Sequence, residues 1–240
     1  MNTAIPEKFK ILNSSMLKTI ALITMFIDHF ALVVLYWGIL YPNIPIYEGT
    51  SLYRVYEIYQ ICRFIGRIAF PIFCFQLIEG FVHTSDRKKY AFRLAVFALI
   101  SELPFNLAVN YTLFTLEYQN VFFTLLIGLL TIWAMEYFEK THPVLMVVPA
   151  AAGCLIAHLI ECDYGYQGII LIVILYVFRH YRLLQSAAGA LSLYWEWPAM
   201  FAFIPICMYN GKKGWNMKYF TYVFYPAHLI LLYAISRLIQ

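Results

Sequence analysis

The sequence predicts an all-α, polytopic integral membrane bundle. Three observations carry that prediction. Of 240 residues, 62% are hydrophobic and 12% charged, where a soluble domain has about 45–50% and about 25%; the mean hydropathy is +0.70. The apolar residues fall into long runs parted by short charged or turn-forming stretches. Positive charge collects on alternate connections. A membrane-crossing helix needs about 20 residues and a loop, so the length holds roughly eight or nine helices in one domain, 1–240, and no separate soluble domain. Residues 1–15 form a short cytoplasmic segment in this reading.

The runs are 16–40, 60–83, 89–109, 119–138, 143–160, 165–180, 183–194, 198–209 and 219–238. The stretch "YWEWP" divides 183–209; if that part is one broken helix, the count is eight. The opening "MNTAIPEKFKILNSSM" has no cleavage plan of a secretory signal, so the first helix is expected to stay. Pro71, Pro205 and Pro226 lie inside apolar runs and predict kinks. With the N-terminus inside, "EKFK", "HTSDRKK", "EKTH", "RHYR" and "NGKKGWNMK" face inward and hold most of the Lys and Arg. The outer loops "YPNIPIYEGTSLYRVYE", "NYTLFTLEYQN", "ECDYGY" and "WEW" are acidic and aromatic. That asymmetry fits nine helices in a cell membrane.

Cys62, Cys74, Cys154, Cys162 and Cys207 are scattered, with no CxxC pair or Cys/His cluster, so neither a disulfide framework nor a metal site is expected. A net charge of +4 fits inward loops against lipid headgroups and not a nucleic-acid surface.

The informative residues are ionisable groups at membrane depth. At about 1.5 Å per residue, Asp28 and Arg67 lie about 18 Å from the inner face, His228 about 15 Å and Glu102 about 20 Å. With His29, four helices thus bring their charges to one layer. Such charges are costly in hydrocarbon and face the interior in partnership. Arg63 and Arg67 are four apart, on one helix face. A buried structural ion pair is the plain alternative for Asp28 and Arg67, and a satisfied core histidine for His228. Arg93 reads as a snorkelling side chain, and Arg87, Lys88, Lys89, Lys212 and Lys213 as topology signals by default. Lys212 and Lys213, between glycines, also form a basic loop suited to phosphate.

A histidine transfers protons near neutral pH, a carboxylate can orient it, and arginine can hold an anionic oxygen. A basic rim attracts a phosphate-bearing donor. Together these parts suit acyl transfer. No GxSxG elbow or HExxH motif is present. A proton-coupled transporter or flippase would use the same layer, although no inverted repeat is evident. A non-catalytic scaffold is a third reading.

The blocks "LKTIALITMFIDHFA", "RFIGRIAFPIFCFQLIEGFVHTSDRKKY", "RLAVFALISELPFNLA", "NVFFTLLIGLL", "DYGYQGIILIVILYVFR", "YNGKKG" and "FYPAHLILLY" resemble the TraX family over about 16–238. Through it the chain resembles acyltransferase family 3 and the heparan glucosaminide acetyltransferases. The arginine spacing here is Arg-x3-Arg, against Arg-x2-Arg in acyltransferase family 3. The resemblance implies acetylation of a pilin N-terminus or another amine or hydroxyl, such as a cell-surface glycan, from cytoplasmic acetyl-CoA or another acyl-CoA. It implies His29 as base, Asp28 as its partner, and Arg67 with Arg63 as carbonyl or donor contacts. Glu79, Glu102, Asn120 and His228 fall in matching blocks and are assigned to the site by depth. Arg87, Lys88, Lys89, Lys212 and Lys213 are the expected donor contacts.

Overall fold

In a computed structural model, which describes residues 5–240 apart from the side chain of Lys218, the chain is helical from end to end. Loops part the helices, and among the described residues there is no strand, only two isolated β-bridges. Helix α1, Ser14–His29, starts where the Asn13 side chain accepts from the Met16 amide at 2.9 Å. It continues as a π-helical stretch, Phe30–Leu40, which begins one residue beyond His29 and turns the following side chains to new directions.

Helix α2, Ser51–Gly66, and α3, Ala69–His83, form one 33-residue span with a break at Arg67–Ile68. The break has a cause in the sequence. Pro71 has no amide hydrogen to offer the Arg67 carbonyl, so the ladder fails there. Helix α2 starts nine residues before the expected 60. The Thr50 hydroxyl caps it, accepting from the Tyr53 amide at 3.2 Å. The exposed Arg54, Glu57 and Gln60 suit an opening outside hydrocarbon.

Helix α4 is Arg87–Phe105, extended by a π turn at Asn106–Asn110. Helix α5, Val121–Glu139, begins beside the middle of α4. Asn120 sets that level: its Nδ2 donates to the Ala98 carbonyl at 2.8 Å while its Oδ1 accepts from the Phe122 amide at 3.1 Å. Helices α6, Val147–Leu159, and α7, Gly165–Val177, have 13 residues each, about 20 Å of rise. The turn between them docks on the segment before α5, with Gln119 N donating to Glu161 O at 3.0 Å and Asp163 N to Gln119 O at 2.8 Å.

The expectation of nine crossings, or eight with one broken helix, meets an irregular bundle. Among the described residues, five helices are long and apolar enough to span a membrane: Ser14–Asn43, Ser51–His83, Arg87–Asn110, Val121–Glu139 and Tyr219–Ile239. Pro143–Leu159 and Gly165–Val177 are shorter apolar helices. The runs 183–194 and 198–209 become α8, Arg182–Ser192, a 3-10 stretch, Tyr194–Ala202, and the five-residue α9, Phe203–Cys207. Glu196 is non-helical there, at φ −137°, ψ 59°, and Pro198 and Pro205 prevent one straight helix. Helix α10, Lys218–Ile239, carries Pro226.

Helices α1 and α10 are fastened at one end. The loop before α10 accepts from the free amides that open α1: Ser14 N donates to Lys212 O at 2.8 Å and Ser15 N to Lys213 O at 3.1 Å. Gly214, at φ +70°, allows this turn; a Cβ there would lie 2.1 Å from Ser15 Oγ. The two helices therefore run in the same direction, and their middles meet.

Candidate active site

Where α1 and α10 meet, His29 Nδ1 lies 2.7 Å from His228 Nε2. The second ring nitrogen of His228, Nδ1, lies 2.7 Å from the Phe224 carbonyl. A carbonyl only accepts, so His228 Nδ1 carries a proton. In neutral His228 its Nε2 is then the acceptor, and His29 Nδ1 is the donor. Hydrogen-bond logic thus fixes both tautomers and leaves the lone pair of His29 on Nε2. His228 is 3% exposed and His29 half-buried. The Phe224 ring stacks on His228 at 4.9 Å, and Tyr225 meets both imidazoles edge-on at 5.8 Å.

Asp28, adjacent to His29, points elsewhere, because successive helix residues diverge by about 100°. Its Oδ2 accepts from Arg63 Nη1 at 2.6 Å. The partner that orients His29 is His228, not Asp28. Gly66 packs directly on Asp28 and gives α1 and α2 their close approach. Arg67, four residues after Arg63, pairs through Nε with Glu196 Oε1 at 3.0 Å. Asp163 accepts from the Tyr118 hydroxyl at 2.6 Å and acts electrostatically on Arg67 and Asp28.

Glu102 and Asn120 meet one another. Asn120 Nδ2 donates to Glu102 Oε2 at 2.5 Å, and Asn106 Nδ2 to Oε1 at 3.1 Å. They join α4 to the start of α5.

A cavity of about 500 Å³ opens at the fastened end of α1 and α10. Lys18, Arg93, Lys213 and His83 line its polar part. Phe73, Leu77, Leu94 and Leu125 line its apolar part, and Met25, Val121, Phe122 and Tyr225 are on its wall beside the histidine pair. Gln76 and Glu79 line it too. Glu79 is engaged by Arg182, Nη2 to Oε1 at 3.4 Å.

Of the expected donor contacts, Lys213 alone lines this cavity. Arg87 is committed to Glu136 through two bonds, the longer 2.9 Å from Nη2 to Oε1; its planar fork matches a carboxylate on α5. Lys88, Lys89 and Lys212 are exposed, and Lys89 pairs with Asp86 at 3.3 Å. Asp86 Oδ1 accepts from the Lys89 amide at 2.9 Å, and that bond holds its carboxyl below the usual value.

Lys18, Gln76, Arg93, Tyr118, Asp163, Glu196 and Tyr225 were not singled out as site residues by the sequence. A polar residue inside "FCFQLIEG" was a signal for Gln76, and the acid inside "YWEWP" for Glu196. Nothing marked Tyr225 among 20 tyrosines. Among the described residues no group of three or more His, Cys, Asp or Glu is placed to hold a metal ion.

No solved structure matches this chain. A probable fimbrial assembly protein FimC, serogroup H1, from Dichelobacter nodosus is 28% identical over 254 aligned positions, covering 93% of this chain and 96% of the relative. The family model described as TraX protein matches residues 13–236. With nearly the whole chain matched, the protein belongs to the TraX family.

Proposed function

We infer that this protein is a membrane-embedded acyltransferase, moving an acetyl or other acyl group from cytoplasmic acyl-CoA to an amine or hydroxyl acceptor. One observation carries the reading: a cavity with a basic polar part is walled by Tyr225, whose ring meets a histidine pair with tautomers that leave a lone pair on His29. Lys18, Arg93 and Lys213 attract the phosphates of the donor, and the apolar lining suits its acyl arm. His29 Nε2 takes the proton of the acceptor as it attacks the thioester carbonyl, and His228 supports the imidazolium that forms. The C–S bond breaks, and the proton passes to the departing thiolate.

In this reading Asp28, Arg63, Arg67 and Glu196 hold α1, α2 and the 3-10 stretch in place around the pair. The N-terminus faces the cytoplasm, α6 to α9 complete nine passes of unequal length, and the protein resides in the plasma membrane. The fimbrial name of the relative favours a pilin N-terminus as acceptor, with a cell-surface glycan as the other acceptor of matching chemistry. Labelled acetyl-CoA and purified protein in lipid test the reading. Transfer is expected, with His29→Ala lowering it by about 10²–10⁴-fold. Substrate uptake driven by a pH gradient, without transfer, would replace it with a transporter.

A further inference from the structure

Tyr225 is 3% exposed, lines the cavity, and its hydroxyl has no hydrogen-bond partner. A buried donor left unmade is costly, and such sites mark a role for a missing acceptor. The hydroxyl does not stand alone. Asn120 takes the Phe122 amide with its side chain and the Phe123 amide with its carbonyl. Val121 opens the first turn of α5 ahead of these two amides. Val121 lines the same cavity. The N-terminus of this 19-residue helix, where the helix dipole favours negative charge, thus stands on the same cavity wall as Tyr225.

Arg67, the sequence's candidate for an anionic oxygen, is bound to Glu196 and does not line the cavity. Tyr225 does, and its ring meets His29. The geometry points to the Tyr225 hydroxyl as the donor that binds the acyl carbonyl oxygen and takes its charge during transfer. The inference rests on the acyl-transfer reading and specifies its electrophilic half. The acceptor nitrogen or oxygen forms a bond to the carbonyl carbon, and the carbonyl π pair moves onto the oxygen that accepts from Tyr225. That pair returns as the C–S bond breaks. The proton held by His29 leaves with the thiolate, so acceptor and thioester give acylated acceptor and free thiol.

Tyr225→Phe tests this in the full chain in lipid nanodiscs. Thiol release from acetyl-CoA is read with a peptide bearing a free amino terminus and, in parallel, with an amino-sugar oligomer. The expected result is a kcat about 10²-fold lower, KM for acetyl-CoA within about twofold, and an unchanged thermal midpoint. Phe keeps the ring packing and removes a hydroxyl that bonds nothing in the protein. A Tyr225→Phe rate within about threefold of the parent overturns the assignment and leaves the acyl-transfer reading intact. A large fall in thermal midpoint also overturns it, since the hydroxyl would then be a structural group. No thiol release by the parent protein with either acceptor overturns the acyl-transfer reading, and the assignment with it.

Discussion

Gly66→Ala should disable the site from outside the reacting atoms. A Cβ at Gly66 would lie 2.2 Å from Asp28 Cβ, 2.3 Å from Oδ1 and 2.6 Å from Cγ. These are atoms close to the α1 backbone, not the far end of a flexible chain. Reaching ordinary contact near 3.5 Å requires α1 and α2 to part by about 1 Å. The Arg63–Asp28 bond, 2.6 Å in the parent, stretches beyond hydrogen-bond length. Overpacking of this kind costs about 1–3 kcal/mol, or about 2–12 °C in a chain of this size. Displacing His29 by about 1 Å costs about 10²-fold in rate. The assay is acetyl transfer in nanodiscs beside a thermal melt. Gly128→Ala is the control, because its Cβ would meet Ile172 Cδ1 at 2.3 Å, a side-chain tip far from the pair. It should lower the melt with little change in rate. A Gly66→Ala protein with parental melt and parental rate would refute the reasoning.

His228→Ala should cost less than His29→Ala, about 10–10²-fold in kcat, because it removes the support of the base and not the base; equal losses would make the two rings one unit. Lys18→Ala and Arg93→Ala should raise KM for acetyl-CoA several-fold at low salt with kcat preserved, and the difference should shrink as salt is added. Arg87→Ala should leave KM for acetyl-CoA unchanged and cost at most about 1 kcal/mol in a melt, since its pair with Glu136 is one-third exposed. The Asp86 carboxyl caps α4, and its folded pKa lies below the ordinary 3.8. Its stabilising contribution is therefore present above the ordinary value and lost as pH falls through the folded one. Asp86→Asn, which still caps, should flatten the acid limb of a stability profile read by circular dichroism.

The helical membrane class was legible because composition alone decides it. Helix lengths were less so: "YWEWP" and Pro205 break a stretch whose hydropathy continues across them. The layer was legible as depth. Pairing within it was not, because depth says nothing of azimuth. Asp28 and His29 share a level, yet one turns to Arg63 and the other to His228. Arg87 reads as a free cation until Glu136, 49 residues on, arrives beside it. Tyr225 is invisible for a different reason: its significance is a missing partner, and a sequence cannot display a bond that is not made.

The histidine pair joins the first and last described helices, 199 residues apart in the chain. Its assembly therefore waits for α10 to be made. At about 5–20 residues per second, roughly 10–40 s separate synthesis of the two rings. During that interval α1 can settle against α2, because Asp28 and Arg63 are only 35 residues apart. In the proposed acyl transfer, the base His29 is left unoriented until α10 leaves the ribosome and inserts. A nascent or truncated chain would thus hold its charges in the membrane without spending thioester on water.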